Sequence, residues 1–157
     1  MEIMKLVYWV FGKLLPDLAV VADEIRYLIW NRELEVTIHN VGTAMARQIT
    51  ITFYEETGSQ DSTTSPNHIA QVTVPYLSWP MDLEAKSITL SSRYLPKRSD
   101  ASITVAVDED NQIPELYERN NTTTRRFHFD MAELNMPRRA TGEIGGDVSV
   151  EIRRGRL

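Results

Sequence analysis

The stretch VDEDNQIPELYERNN, from Val107 to Asn121, concentrates residues that could do chemistry. Three chemistries fit such a group: a metal site with oxygen ligands, an acid–base pair, or a loop that is held in shape by its own polar side chains. Its carboxylates are Asp108, Glu109, Asp110, Glu115 and Glu118.

Calcium is the first alternative, because this ion takes oxygen ligands from carboxylates and amides. A helix–loop–helix calcium loop that began at Asp108 would need Gly at its sixth position and Glu at its twelfth. The chain has Ile113 and Arg119 there, so that motif fails. A looser calcium site stays open, with Asp108, Asp110, Glu115 and Glu118 as its candidate ligands.

An acid–base pair is the second alternative, and the spacing argues against it. A glycosidase pair must face a sugar from two sides, whereas Glu115 and Glu118 would share one side of a helical turn. The chain also has no nucleophile elbow, phosphate loop, zinc-protease motif or dinucleotide fingerprint. None of the three histidines, His39, His68 and His128, has a second ligand near it in sequence. We therefore predict no catalytic residue and no cofactor, with a hydrolase of dispersed residues as a remaining hypothesis.

A structural loop is the third alternative and the one we favour. Val107 ends one predicted strand and Thr122 begins the next, and so long a connection needs its own hydrogen bonds. Asp and Asn side chains accept from backbone N–H groups and tolerate left-handed conformations. Ile113 is predicted to plug the end of the core, with Leu116 and Tyr117 beside it, and Pro114 to begin a short helical turn. The predicted structural residues are Asn111, Ile113, Asn120 and Asn121.

The elements around the loop are predicted to be strands. Short runs alternate apolar and polar residues at the strand period, and turn signals separate them. An earlier run, residues 16–30, is nearly all apolar and suits a strand that is covered on both faces or changes sheets. The pattern predicts an all-β, antiparallel β-sandwich of about seven strands. The alternating runs are residues 34–40, 48–56, 71–77, 86–92, 101–110 and 122–129, and residues 147–153 offer one more strand.

The bulk composition excludes several classes of protein. The chain has 157 residues, a net charge of −5 and no cysteine. The negative charge argues against nucleic acid as the partner. The missing cysteines exclude disulfides, zinc thiolates and thiol catalysis. We predict no transmembrane span, because no apolar run approaches the roughly 20 residues that a spanning helix needs.

Two segments flank the predicted domain. Residues 1–15 form an apolar arm, which we expect to pack on the domain or on a partner. A membrane-surface helix or a remnant of a targeting segment are the alternatives, although no clear signal peptide is present. Residues 130–157 form a C-terminal extension that is rich in arginine between residues 138 and 156. This extension is either a solvated segment or a strap that docks on an acidic neighbour.

The loop also carries a resemblance to a known family. VDEDNQIPELYERNNT is similar to the signature of the CARDB family, the cell-adhesion-related domain found in bacteria and archaea. PDLAVV at residues 16–21 resembles the family's opening strand, and VTIHNVGTAMA at residues 36–46 resembles its Asn-x-Gly-x-Ala turn. The resemblance spans about residues 16–129. One departure is DLEAKSITL, which lacks the Pro-Gly of the family's mid-domain turn.

The resemblance implies an immunoglobulin-like fold and a function without catalysis. Domains of this family act in secreted or surface proteins as spacers, adhesion modules or accessory binding modules. We therefore expect an extracellular or cell-surface module that contacts other protein subunits or surface domains, in an oligomer or larger assembly. A calcium- or carbohydrate-binding accessory module is the alternative.

Overall fold

The computed structural model describes residues 14–56, 65–81 and 85–134, together with the backbone of residues 148–149. Most of the predicted N-terminal arm and most of the C-terminal extension lie outside these ranges. The predictions made for those parts therefore stay predictions.

The described chain forms two antiparallel sheets, which confirms the predicted sandwich. The strands are β1 (Leu18–Leu28), β2 (Glu33–Asn40), β3 (Ala46–Glu56), β4 (Asn67–Leu77), β5 (Lys86–Arg93), β6 (Asp100–Val107), β7 (Thr122–His128) and β8 (Val148–Ser149). The first sheet has the strand order β1-β2-β5-β8, and the second has the order β4-β3-β6-β7. A single turn of 3₁₀ helix, Glu118–Asn120, precedes β7, and a short helix α1, Met131–Leu134, follows it.

The core lies between the two sheets and follows the alternation seen in the sequence. In β2, every second residue is buried, and Leu34, Val36 and Ile38 are fully so. The inner face of the second sheet contributes Phe53 and Ile103, which are also fully buried. Burial of these apolar side chains is the main favourable term for the fold.

Along one side of the sandwich, an arginine of the second sheet is hydrogen-bonded to a bulge in β1 of the first sheet. The pairing of β1 with β2 shifts register between Val20 and Ile25, which leaves carbonyl groups of the bulge without ladder partners. Arg125 of β7 donates from its Nη1 to the carbonyls of Ala22, Asp23 and Ile25, at 3.3, 2.9 and 2.8 Å. One guanidinium group therefore bonds β7 of the second sheet to β1 of the first sheet.

We call one end of the sandwich the loop end. It consists of residues 14–17, 40–45, 77–81 and 108–121. Asn40 is fully buried there and donates from Nδ2 to the carbonyls of Ala44, Leu77 and Ser78. Gly42 allows the backbones to approach closely, because a Cβ atom at this position would lie 2.4 Å from Asp17 N.

We call the opposite end the hairpin end, since the β1–β2 turn lies there. Tyr27 packs edge-on against both Tyr94 and Phe129, with ring centroids 6.2 and 5.0 Å apart. Arg32 donates to the carbonyl of Leu134 at 2.8 Å, and Leu134 is part of the hydrophobic core. The packed body of the described chain therefore includes α1. No helix within the described ranges is long and apolar enough to span a membrane.

Candidate functional site

Asp108 is the first predicted site residue, and it holds the start of the loop. Its backbone has a φ of 48°, and that of Asn111 has a φ of 49°, which is the left-handed conformation that Asp and Asn tolerate. The Asp108 side chain is buried. Its Oδ1 accepts from the N–H of Gln112 at 3.1 Å, and its Oδ2 accepts from that of Ile113 at 2.8 Å. Both carboxylate oxygens therefore fold the loop back on itself.

Glu115 is the second predicted site residue, and it ties the loop to the first strand. Its Oε2 accepts from the N–H of Leu18, which is 97 residues away in sequence. Its Oε1 accepts from Nδ2 of Asn121 at 2.7 Å. The adjacent N–H of Leu116 donates to the carbonyl of Pro16 at 2.9 Å. This buried carboxylate therefore clasps together the loop, the beginning of β1 and the beginning of β7.

Two opposing effects act on the ionisation of Glu115. Burial raises the pKa of Glu115, and the nearby carboxylates of Glu118 and Asp108 raise it further. The hydrogen bonds from Leu18 and Asn121 lower the pKa, because they favour the charged form. The effect of burial is larger than that of the hydrogen bonds, and the pKa of Glu115 rises from 4.5 to about 7.

Asn120 and Asn121 lie at the end of the loop and bond it to neighbouring segments. Asn120 donates from Nδ2 to Oδ1 of Asp17 at 2.7 Å. The carbonyl of Asn121 accepts from the N–H of Val107 at 2.7 Å, which restores the ladder between β6 and β7. The side-chain Oδ1 atoms of both asparagines are buried and accept no hydrogen bond from the described residues. These two buried oxygens are acceptors that the described residues leave unused.

The remaining loop residues correct parts of the sequence interpretation. Ile113 is half-buried against the core, but Leu116 and Tyr117 are exposed and do not extend the plug. The helical turn begins at Glu118 and not at Pro114. Ahead of this turn, Oε1 of Glu118 reaches back to accept from the N–H of Glu115 at 3.0 Å.

The four candidate calcium ligands do not converge on one point. The carboxylate oxygens of Asp108 and Glu115 already accept from N–H donors. An oxygen of Glu118 accepts from the N–H of Glu115, and Asp110 is exposed on the surface. Within residues 14–56, 65–81 and 85–134, no group of three or more His, Asp or Glu residues is placed to hold a metal ion. The calcium site therefore stays a prediction.

A polar cluster on the outer face of the first sheet was not found by sequence reasoning. Nε2 of His39 lies 2.5 Å from Oε2 of Glu24, and its Nδ1 lies 2.6 Å from Oγ of Ser87. The three residues come from β1, β2 and β5, so the hydrogen bonds of the imidazole link these three neighbouring strands. Only the register of the sheet, which places His39 opposite Ser87, reveals this cluster.

The loop end also carries exposed apolar side chains. The segment before β1 is bonded to the turn after β2, through Val41 N to Asp17 O at 2.8 Å. It is bonded to the long loop through the N–H of Leu116. The apolar side chains that are at least 46% exposed at this end are Leu14, Val41, Met81, Leu116 and Tyr117. Apolar side chains gathered at one end mark a contact surface more often than scattered ones do.

The chain is similar to known proteins both in sequence and in fold. The sequence profile of CARDB matches residues 15–125. A solved CARDB domain of a Pyrococcus furiosus protein, described as a complex with di-metal ions, is 25% identical. The match covers 74% of this chain and 96% of that one, with a TM-score of 0.54.

Two solution structures share the fold. One, of the same Pyrococcus furiosus domain, is 24% identical with a TM-score of 0.50, over 74% of this chain and 96% of that one. The other is a domain of a Methanosarcina acetivorans protein that is provisionally named a cell surface protein. It is 19% identical, with a TM-score of 0.51 over 73% of this chain and 91% of that one. No curated protein sequence matches the chain.

Proposed function

We propose that this chain, which belongs to the CARDB family, is a non-catalytic β-sandwich module that acts through protein–protein contacts. CARDB is a family of non-enzymatic domains. The proposed setting is a surface or extracellular protein, in which the module serves as an adhesion domain, a spacer or a subunit of an assembly. The provisional cell-surface name of the Methanosarcina acetivorans protein is in line with this setting.

One observation carries the proposal: five exposed apolar side chains gather at the loop end, and the N-terminal arm joins the domain there through Leu14. The polar groups of the loop support it as well. Asp108 and Glu115 are engaged in bonds that hold the fold, so they are not available for chemistry on a substrate. The arm and the Arg-rich extension are the further parts that we propose to make contacts.

A pair of leucines offers a matched test. Leu116 lies at the loop end and Leu95 at the hairpin end, and they are 46% and 57% exposed. If the loop end is a contact surface, Leu116→Ser should lower the mass that light scattering measures for the full chain, whereas Leu95→Ser should leave it unchanged. A deletion of residues 1–13 should have the same effect as Leu116→Ser. A strict monomer, or equal results for the two leucines, would contradict the proposal.

A calcium-binding or carbohydrate-binding accessory module is the second candidate. It is favoured by the unused Oδ1 atoms of Asn120 and Asn121 beside Glu115 and Asp17, because amide and carboxylate oxygens are calcium ligands. The di-metal complex of the Pyrococcus furiosus domain is a second reason. Calorimetric titration with calcium tests this candidate, and it fails if neither binding heat nor a rise in melting temperature is observed.

A further inference from the structure

The turn between β1 and β2 exposes a tryptophan at the hairpin end. Trp30 is 79% exposed, although folding usually covers most of a tryptophan side chain. The turn itself is held by the domain. The N–H of Asn31 donates to the carbonyl of Leu28 at 3.1 Å, and Ile29 packs against the core. The backbone of the turn is therefore fixed, while the indole ring is left in solvent.

The connection between β5 and β6 lies beside this turn, and the two segments together are basic. The N–H of Tyr94, the residue after β5, donates to the carbonyl of Arg32 at 2.9 Å. We call residues 29–32 and 93–99 the basic tip, because they contain four cationic side chains and no carboxylate. These cations are Arg32, Arg93, Lys97 and Arg98. The most exposed aromatic residue of the described chain therefore lies among cations, in a protein whose net charge is −5.

The carboxylates of the hairpin end lie outside the basic tip. Glu33 lies opposite Arg93 in the ladder between β2 and β5. Asp130 accepts from a backbone N–H at the start of α1, at 2.8 Å. Within the described residues, no ion pair joins a carboxylate to Lys97 or Arg98, which are both exposed. The other carboxylates at this end are Glu56, Asp100 and Glu133.

The opposite end of the sandwich has the reverse character. The loop end contains six carboxylates and one arginine. Positive charge next to exposed apolar surface is therefore a property of the basic tip and not of the loop end. A negatively charged surface would be attracted to the basic tip and repelled by the loop end.

The exposed apolar area of the basic tip is small. Trp30 and Leu95, which is 57% exposed, together present roughly 300 Å² of side chain to solvent. A stable interface between two proteins buries about 800 Å² on each partner. A lipid bilayer needs less area, because tryptophan rings lie at the level of the head groups, with the ring in apolar surroundings and the N–H in polar ones. Lysine and arginine beside such a ring are attracted to anionic head groups.

We propose that the basic tip is a docking surface for an anionic lipid bilayer. Trp30 enters the head-group layer, and Lys97 and Arg98 face the negative charges of the lipids. With the hairpin end on the membrane, the loop end and its exposed apolar side chains face away from it, towards protein partners. The inference goes beyond the proposed function and does not depend on it, because the two surfaces lie at opposite ends and each has its own test.

Co-sedimentation of the full chain with lipid vesicles tests the docking. Vesicles of phosphatidylcholine with about 30% phosphatidylserine should bind the protein about tenfold more tightly than vesicles of phosphatidylcholine alone. Trp30→Ser should weaken binding to the anionic vesicles by about tenfold. The control, Tyr117→Ser, removes an aromatic side chain that is 52% exposed at the loop end, and should leave binding unchanged.

A matched pair of double variants tests the cations. Lys97→Gln combined with Arg98→Gln should weaken binding to the anionic vesicles about thirtyfold, because each cation near such a surface contributes about fivefold. The control, Arg47→Gln combined with Arg119→Gln, removes two arginines that are exposed elsewhere. It changes the net charge equally, but should weaken binding less than about threefold, because salt screens charges that lie far from the membrane.

Fluorescence shows whether Trp30 itself enters the membrane. On anionic vesicles, the tryptophan emission of the wild type should shift to shorter wavelength. Trp30→Tyr keeps an aromatic ring with a polar edge, so it should bind within about threefold of the wild type and lose this shift. A shift that persists in Trp30→Tyr would assign the contact to Trp9 or Trp79 and overturn the inference.

Other outcomes would also overturn the docking. One is equal binding to the two kinds of vesicle, and another is equal binding by Trp30→Ser and the wild type. Binding to poly-glutamate but not to anionic vesicles would assign the basic tip to an acidic protein. A mass in light scattering that falls in Trp30→Ser would assign it to a second copy of this chain.

Discussion

The buried carboxyl group of Glu115 should make the stability of this protein depend on pH in a specific window. Its pKa in the folded state is about 7, against an ordinary value of 4.5. Between these two values, the folded protein holds a proton that the unfolded chain has released. Stability falls with rising pH wherever the folded state binds more protons. The contribution of Glu115 should therefore be lost as the pH rises from about 4.5 to about 7, and should be constant outside that window.

The size of the effect follows from the pKa shift. One pKa unit corresponds to about 1.4 kcal/mol of differential interaction. The shift of Glu115 from 4.5 to about 7 therefore predicts a loss of about 3 kcal/mol across the window. That loss is a large share of the roughly 5 to 15 kcal/mol by which domains are stable. It should be visible in an ordinary unfolding experiment.

Glu115→Gln provides the perturbation, because an amide keeps an oxygen acceptor for Leu18 or Asn121 and does not titrate. Urea unfolding would be followed at a series of pH values from 4 to 8, on the wild type, on Glu115→Gln and on a control, Asp110→Asn. The control removes an exposed charge from the same loop. The free energy of unfolding of Glu115→Gln relative to the wild type should rise by about 3 kcal/mol across the window, while that of the control should stay level. A pH-independent difference would refute the argument, and would mean that the bonds from Leu18 and Asn121 outweigh burial.

Three further predictions concern stability, and denaturant unfolding at fixed pH checks each of them. Asn121→Ala should destabilise the protein by about 1–3 kcal/mol, because it leaves Oε1 of Glu115 buried without its donor; an unchanged unfolding midpoint would contradict a structural role. Gly42→Ala should cost about 3 kcal/mol, since the added Cβ would lie 2.4 Å from backbone atoms that must move; a neutral result would mean that the two segments separate easily. Arg125→Ala should cost about 2 kcal/mol, because it removes charge-assisted bonds to three carbonyls. Arg126→Ala, its control, removes an arginine that is 78% exposed and should cost less than about 1 kcal/mol.

The strands could be predicted from the sequence because their signal is local. One face of β2 is buried and the other meets water, so the alternation of Leu34, Val36 and Ile38 with polar residues is visible without any knowledge of the partner strands. The left-handed positions in the loop were predictable for the same reason. Asp108 and Asn111 are residue types that tolerate such backbone angles on their own.

The contacts between distant segments were not predictable in this way. The bond from Leu18 to Glu115 joins residues 97 apart, and the bonds of Arg125 reach back about 100 residues to the bulge of β1. No local pattern specifies which carbonyls a bulge will expose. Exposure at the loop end was misjudged for a related reason. Leu116 looks like a core residue in sequence, but its N–H is bonded to Pro16 at the rim, and its side chain stays exposed.

The bonds of the loop also determine what calcium binding would require. Asp108 already accepts from Gln112 and Ile113, and Glu115 already accepts from Leu18 and Asn121. A calcium ion that took oxygens from either carboxylate would leave these donors without partners, and a buried N–H without a partner costs about 1–3 kcal/mol. The Oδ1 atoms of Asn120 and Asn121 carry no such penalty, since no residue that the structure describes donates to them. An ion at this loop should therefore engage the asparagine oxygens first, and Asn121→Ala should weaken calcium binding more than Asp110→Asn does.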